Sequence, residues 1–163
     1  ALLAAHSEVS PHNLELEILE TSALSDIDQV FDTMNACHDL GVRFALDDFG
    51  TGYSSLTYLR RLPAHMIKID QSFVRNMLED ADDLAIVYGV VGLAKAFQRE
   101  VIAEGVETVE HGVALLRLGC KLAQGYGIAR PMPAADIPEW VSSWKADDSW
   151  LMSTRIEASL MDL

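Results

Sequence analysis

The chain has 163 residues, half of them hydrophobic, with 25 acidic against 12 basic side chains and a formal net charge of −13. That length supports one packed core and reads as a single domain, while the acidic balance excludes a DNA or RNA groove, which needs a basic stripe to displace counterions. No apolar run approaches the roughly 18 residues of a membrane span, and the first residues lack the basic flank of a secretory signal, so the sequence reads as cytoplasmic.

Ala1 to His6 read as the tail of a helix, which leads us to expect that the N-terminal part of a larger domain lies upstream. The first strand is expected over Leu14 to Leu19. Ile27, Val30, Phe31, Met34 and Cys37 then recur at helical spacing, with Ser25 as N-cap and Gly41 as the stop. A second strand, Arg43 to Asp47, closes on two adjacent carboxylates, and the glycine-broken stretch Asp48-Phe-Gly-Thr-Gly-Tyr-Ser-Ser55 follows at once. Met66 to Ile69 forms the third strand, and Ile86, Val87, Val90, Leu93, Ala94 and Phe97 mark the helix before the fourth, Glu100 to Glu104. Val113, Leu116 and Leu118 mark a helix ending at Gly119, ahead of a fifth strand over Lys121 to Tyr126. The tail from Lys145 to Leu163 places Trp150, Leu151, Met152, Ile156, Leu160 and Met161 at near-helical spacing, which divides the chain into residues 1–144 and a helical tail of 145–163.

Short apolar runs alternating with helix-period runs are the mark of repeated βα units and a parallel sheet. An open doubly wound sheet has the same local signature, but acids at the strand ends favour a TIM-like (β/α) barrel, whose site is built at the C-terminal mouth of the strands. A whole barrel has eight strands and about 250 residues. The sequence supplies about five βα units, so the expected fold is an N-terminally incomplete α/β barrel. Its open edges should drive self-association.

Successive side chains of a strand point to opposite faces, so Asp47 and Asp48 can converge only if the strand is already ending and turning there. Two carboxylates about 4 Å apart repel by roughly 4 kcal/mol at an effective dielectric near 20, which a proton or a divalent cation must relieve. The polar residues at the strand ends are Glu17, Asp47 with Asp48, Lys68 with Asp70, Glu104 and Gln124. Such a carboxylate-rich, oxygen-donor set with one lysine, and no histidine or cysteine at a strand end, suits Mg²⁺ or Mn²⁺ and argues against zinc. The five histidines fall in helices or loops and read as surface or helix-end residues. Cys37 and Cys120 have no CxxC spacing and read as reduced core residues. Glu79, Asp80, Asp82, Asp83, Asp147 and Asp148 read as a solvated helix surface.

The segments Leu14-Glu-Leu-Glu-Ile-Leu-Glu20, Ala45-Leu-Asp-Asp-Phe-Gly-Thr-Gly-Tyr-Ser-Ser55, Ile67-Lys-Ile-Asp70, Ala103-Glu-Gly-Val-Glu107 and Gln124-Gly-Tyr126 with Arg130-Pro131 stand in one order along the chain. Together they resemble the successive signatures of the EAL family of bacterial cyclic di-GMP phosphodiesterases. The resemblance implies a TIM-like barrel with one antiparallel strand, a dimer, and a place in the cytoplasmic portion of a larger signalling protein. By the same resemblance Glu17 is a metal ligand, Asp47 bridges two cations and Asp48 binds the second. Lys68 would contact the attacking water or the phosphate, Glu104 would sit by the second metal and its water, and Gln124 would orient that region. Glu20 and Glu107 match glutamates that hold the Asp-Phe-Gly-Thr-Gly loop and couple it to the dimer interface. The implied reaction is hydrolysis of one 3′,5′ phosphodiester of cyclic di-GMP to linear pGpG.

Two departures stand out. The family's Glu-Ala-Leu segment and a strand-end asparagine, both metal ligands, are not in this chain. Little or no activity is therefore expected of residues 1–163 alone. Leu19 also replaces the family's usual threonine. A cyclic di-GMP receptor or protein-interaction module without catalysis is the alternative, and the intact Asp-Asp-Phe-Gly and Glu-Gly-Val-Glu segments favour the enzyme. Asp48-Phe-Gly alone would suit a protein kinase, but the glycine-rich loop, the Val-Ala-Ile-Lys strand and the His-Arg-Asp loop are missing. Another metal-dependent barrel enzyme, such as an enolase-like lyase, would share the acids but not the five motifs.

Overall fold

A computed structural model describes residues 2–20, 27–52 and 56–153. After a short helix α1 (Leu2–Ala5), five strands follow: β1 (Glu15–Leu19), β2 (Arg43–Phe49), β3 (Met66–Ile69), β4 (Glu100–Glu104) and β5 (Leu122–Gln124). The helices between them are α2 (Ile27–Asp39), α3 (Leu56–Arg61), α4 (Gln71–Asn76), α5 (Ala81–Ala96) and α6 (Val109–Leu118); α7 (Ile137–Ser143) and α8 (148–153) close the described chain. All four strand pairings are parallel and the order is β1-β2-β3-β4-β5. Each neighbour in space is the next in sequence, the arrangement of consecutive βα units in a barrel.

The central strands read as continuous apolar runs because both faces are covered. Phe44, Ala45 and Leu46 of β2 and all four residues of β3 are buried. Val87, Val90, Val91 and Ala94 of α5 and Leu115 of α6 pack onto them. The edges differ, since Leu16 and Leu19 on β1 and Leu122 on β5 remain 38%, 44% and 39% exposed.

Helix boundaries follow their caps. Asp70 starts α4 by accepting from the Ser72 N–H at 3.0 Å, and Asp80 starts α5 by accepting from the N–H groups of Asp82 and Asp83 at 2.8 and 3.3 Å. Gly119 ends α6 in the left-handed conformation at φ 89°. The predicted N-cap Ser25, and Ile156, Leu160 and Met161 of the tail, lie outside the described residues.

Three expectations need correction. The second strand does not stop at Asp47 but runs to Phe49 through a register shift between Leu46 and Phe49, with Asp48 at φ 53°. The fifth strand is shorter than Lys121 to Tyr126. A Cβ on Gly125 would stand 2.2 Å from the Val106 carbonyl oxygen, so the backbone leaves the sheet to pass against β4's loop. Of the two places expected for the histidines, surface or helix end, the surface does not hold for His111, which stands in the first turn of α6 and is only 6% exposed.

Trp150 of α8 donates its indole N–H to the Val109 carbonyl at 2.9 Å and presses on Gly112, where a Cβ would lie 2.4 Å from Nε1. Trp144 joins it to Trp140, with ring centroids 6.3 and 6.0 Å apart. The C-terminal segment is thus docked on the first turns of α6.

Candidate active site

The register places the site. Glu17 pairs with Ala45, and Asp47 lies two residues further along the same face of β2. Lys68 pairs with Ile102, and Glu104 lies two residues further along β4. These four side chains therefore meet at the C-terminal end of the sheet, and Gln124, opposite Glu104, completes the row. At the other end, contacts of 2.9 Å each reach across an intervening strand, Arg43 of β2 to Glu100 of β4 and His65, just before β3, to Glu15 of β1.

Lys68 is the hub. Its Nζ lies 2.7 Å from Glu17, 2.8 Å from Asp47 and 2.8 Å from Glu104, and the residue is 6% exposed. Burial alone would lower its pKa, but the three carboxylates outweigh it and hold the ammonium well above the ordinary lysine range. Glu104 is also raised, but for the opposite reason. Burial raises its pKa, Lys68 pulls it back, and Asp47 and Glu17 add to the rise. Its Oε1 also accepts from Gln124 Nε2 at 3.2 Å, which fixes the carboxylate.

The bulge in β2 answers how adjacent aspartates can share a point. With Asp48 in the left-handed region, which aspartate tolerates better than most residues, both carboxylates turn the same way. Oxygens of Asp47, Asp48 and Glu104 lie within 4.8 Å of one another. Burial raises the Asp48 pKa, and the charges of Asp47 and Asp70 raise it further. Asp70 runs opposite: burial would raise it, yet hydrogen bonds from the Ser72 hydroxyl and N–H, with Asp48 beside it, hold it below the usual carboxylate range. Asp47 Oδ1 is buried and makes no aligned hydrogen bond despite its closeness to Lys68. A clustered, all-oxygen set of three carboxylates fits a hard divalent cation. Glu17, expected among the ligands, touches Lys68 but lies outside that group of three.

Glu20 is 3% exposed, and its Oε2 accepts from the N–H groups of Gly50 and Gly52 in the glycine loop at 2.9 and 3.4 Å. A Cβ on Gly52 would stand 2.9 Å from that carboxylate, which would have to shift to admit it. Glu107, expected to support the same loop, is turned to α4, where its Oε1 lies 2.9 Å from Arg75 Nε. Arg75 carried no sequence signal of a role. Asp70 did: a strand-end acid two residues before Ser72 is a helix-cap pattern at the rim of the site.

Beyond this cluster, a cavity of about 410 Å³ opens between α4 and the segment after β5, lined by Gln71, Arg75, Glu104, Gln124, Tyr126 and Arg130 among others. The Arg130 guanidinium stacks 4.7 Å from the Tyr126 ring centre. Cationic and aromatic groups beside a carboxylate cluster can take a ligand with both phosphate and base character.

The family model described as EAL domain matches residues 1–131. The bifunctional diguanylate cyclase/cyclic di-GMP phosphodiesterase MucR of Pseudomonas aeruginosa is 44% identical over 135 residues, 83% of this chain and 20% of MucR. The cyclic di-GMP phosphodiesterase NbdA of the same organism is 40% identical over 134 residues, 82% of this chain and 17% of NbdA. The chain thus spans about one fifth or less of the length of these relatives. Among solved structures, the MucR phosphodiesterase in complex with c-di-GMP superposes with a TM-score of 0.80 at 44% identity, covering 83% of this chain and 54% of that one. The manganese/c-di-GMP complex of Klebsiella pneumoniae BlrP1 gives 0.72 at 35% identity, covering 78% and 32%.

Proposed function

The chain belongs to the EAL domain family, and from that membership we propose that it forms the C-terminal half of a cyclic di-GMP phosphodiesterase domain, hydrolysing the cyclic dinucleotide to linear pGpG. The observation that carries the reading is the meeting of Asp47, Asp48 and Glu104 around the Lys68 ammonium at the end of the sheet. Asp47, Asp48 and Glu104 would hold a divalent cation, Mg²⁺ or Mn²⁺, with Glu17 turned to the same spot through Lys68. Bound there, a cation neutralises charge on the phosphoryl oxygens and acidifies a water.

The residues of the chain divide the remaining work. Lys68 stays protonated through neutral pH and offers a fixed positive charge to the phosphoryl group or the incoming water. Glu104, held by Gln124 and raised toward neutrality, is the base we assign to the proton released as the water oxygen bonds to phosphorus. The P–O3′ bond breaks, and the 3′ oxygen takes a proton from solvent. Glu20 keeps the glycine loop in the shape that presents Asp47 and Asp48. The half-exposed Leu16, Leu19 and Leu122 at the sheet edges support association with a second copy, to be tested by light scattering after size exclusion.

The test is chromatographic detection of pGpG from cyclic di-GMP with Mg²⁺ or Mn²⁺, on the intact natural protein and on residues 1–163. Turnover in the intact protein that is lost on Asp47→Asn supports the reading. Binding without turnover there would replace it with a receptor.

A further inference from the structure

We propose that His111 is a positioning residue that clasps the Glu104–Glu107 loop to α4 through Arg75; its bearing on hydrolysis rests on the function proposed above. The imidazole is 6% exposed, and its Nε2 lies 3.1 Å from the Arg75 carbonyl oxygen. A carbonyl can only accept, so Nε2 carries the proton. In a neutral ring Nδ1 is then an acceptor, and it lies 3.0 Å from the Thr108 hydroxyl, which can donate to it. The same hydroxyl accepts from the His111 N–H at 3.4 Å and caps α6. One neutral tautomer satisfies every partner.

The Arg75 carbonyl is among the last four of α4, which have no acceptor role inside their own helix. His111 supplies the missing donor from 36 residues away. Arg75 meanwhile reaches the other way and pairs with Glu107 at 2.9 Å. Both partners of that ion pair are nearly half exposed, at 47% and 45%, so solvent screens it and it contributes little. The buried imidazole bond is the part of the clasp that solvent does not compete for. A third contact sits beside it: Gly105, at φ 75°, lies so close that a Cβ would stand 2.7 Å from the Gln71 Cβ.

The consequence reaches the chemistry. Helix α4 begins directly after Lys68 and Asp70, whereas the clasped loop begins at Glu104. Fixing α4 to the first turn of α6 therefore fixes the Lys68 ammonium against the Glu104 carboxylate, which lie 2.8 Å apart on different strands.

Glutamine and asparagine separate this role from simple space filling. A glutamine amide reaches the position of Nε2 and can donate to the Arg75 carbonyl; an asparagine amide reaches only the position of Nδ1. In residues 1–163, amide hydrogen exchange over residues 105–112 is expected to stay near wild type in His111→Gln. In His111→Asn it should accelerate by about tenfold, the loss of one buried hydrogen bond. In the intact protein kcat should follow the same order with KM little changed. Arg75→Ala, which keeps the carbonyl, should change exchange less than His111→Asn does. Equal impairment of Gln and Asn, or of neither, overturns the proposal. An altered exchange pattern with unaltered kcat also overturns it. If the wild-type protein shows no turnover, the phosphodiesterase reading fails, and the exchange contrast still decides the clasp.

Discussion

Replacing Lys68 with methionine keeps the apolar stem and deletes the charge at the centre of three carboxylates. Glu17, whose side chain is 51% exposed, can swing into solvent, which leaves Asp47 and Glu104 facing each other at 19% and 15% exposure. Two charges separated by no more than 4.8 Å repel by roughly 3.5 kcal/mol at an effective dielectric near 20. The alternative is to protonate one of them, and moving a carboxyl from its ordinary range to above pH 7 costs about 3.4 kcal/mol. The two routes agree, so the variant should lose about 3 kcal/mol at pH 7 in EDTA. With a urea slope of about 2 kcal/mol/M that is a midpoint shift of roughly 1.5 M, read by far-ultraviolet circular dichroism. The sign with pH follows from a carboxyl whose folded pKa is raised: the loss is present above its unfolded pKa and fades as pH falls toward it. At pH 5 the penalty should shrink to about 1 kcal/mol. Saturating Mn²⁺ should also restore part of the midpoint, since it would supply the missing charge. A loss under about 1 kcal/mol at pH 7, or one of equal size at pH 5, would refute the reasoning.

Asp48→Asn should raise the apo protein's thermal midpoint at pH 7, because an aspartate whose folded pKa is raised destabilises the fold above its unfolded pKa. The gain should vanish near pH 3, below the ordinary aspartate range, and stabilisation by Mn²⁺ should be lost with it. Glu20→Ala strands the N–H groups of Gly50 and Gly52 and should lower stability by about 2 kcal/mol in urea melts, while Glu20→Gln loses less. Gly105→Ala meets both the left-handed φ of 75° and the Gln71 side chain, so a loss of at least about 2 kcal/mol is expected by the same assay.

The strand-helix alternation was legible because buried parallel strands need apolar runs and their C-terminal ends carry the polar residues. Period-2 alternation then put Asp47 and Lys68 at one mouth. The bulge was not legible: aspartate at residue 48 permits φ 53° without requiring it, and the pull comes from pairing between Phe49 and Ile69 on the next strand. Nor could the sequence separate Glu20 from Glu107. Both follow a strand within three residues, but one meets glycine N–H groups 30 and 32 residues downstream and the other an arginine on α4. His111 looked like any histidine in the first turn of a helix, and its burial depends on the carbonyl of a distant helix end. Each miss concerns a partner brought in by tertiary packing; each success concerns a residue placed by strand periodicity.

The tryptophans of this chain number three, and all of them stand between residues 140 and 150, stacked on one another and on α6. Every indole is therefore a reporter for the same small region. A melt followed by tryptophan emission times the release of the C-terminal segment, whereas the amide band follows the sheet. The gap between the two curves measures how much of that segment's hold depends on the indole bond to Val109.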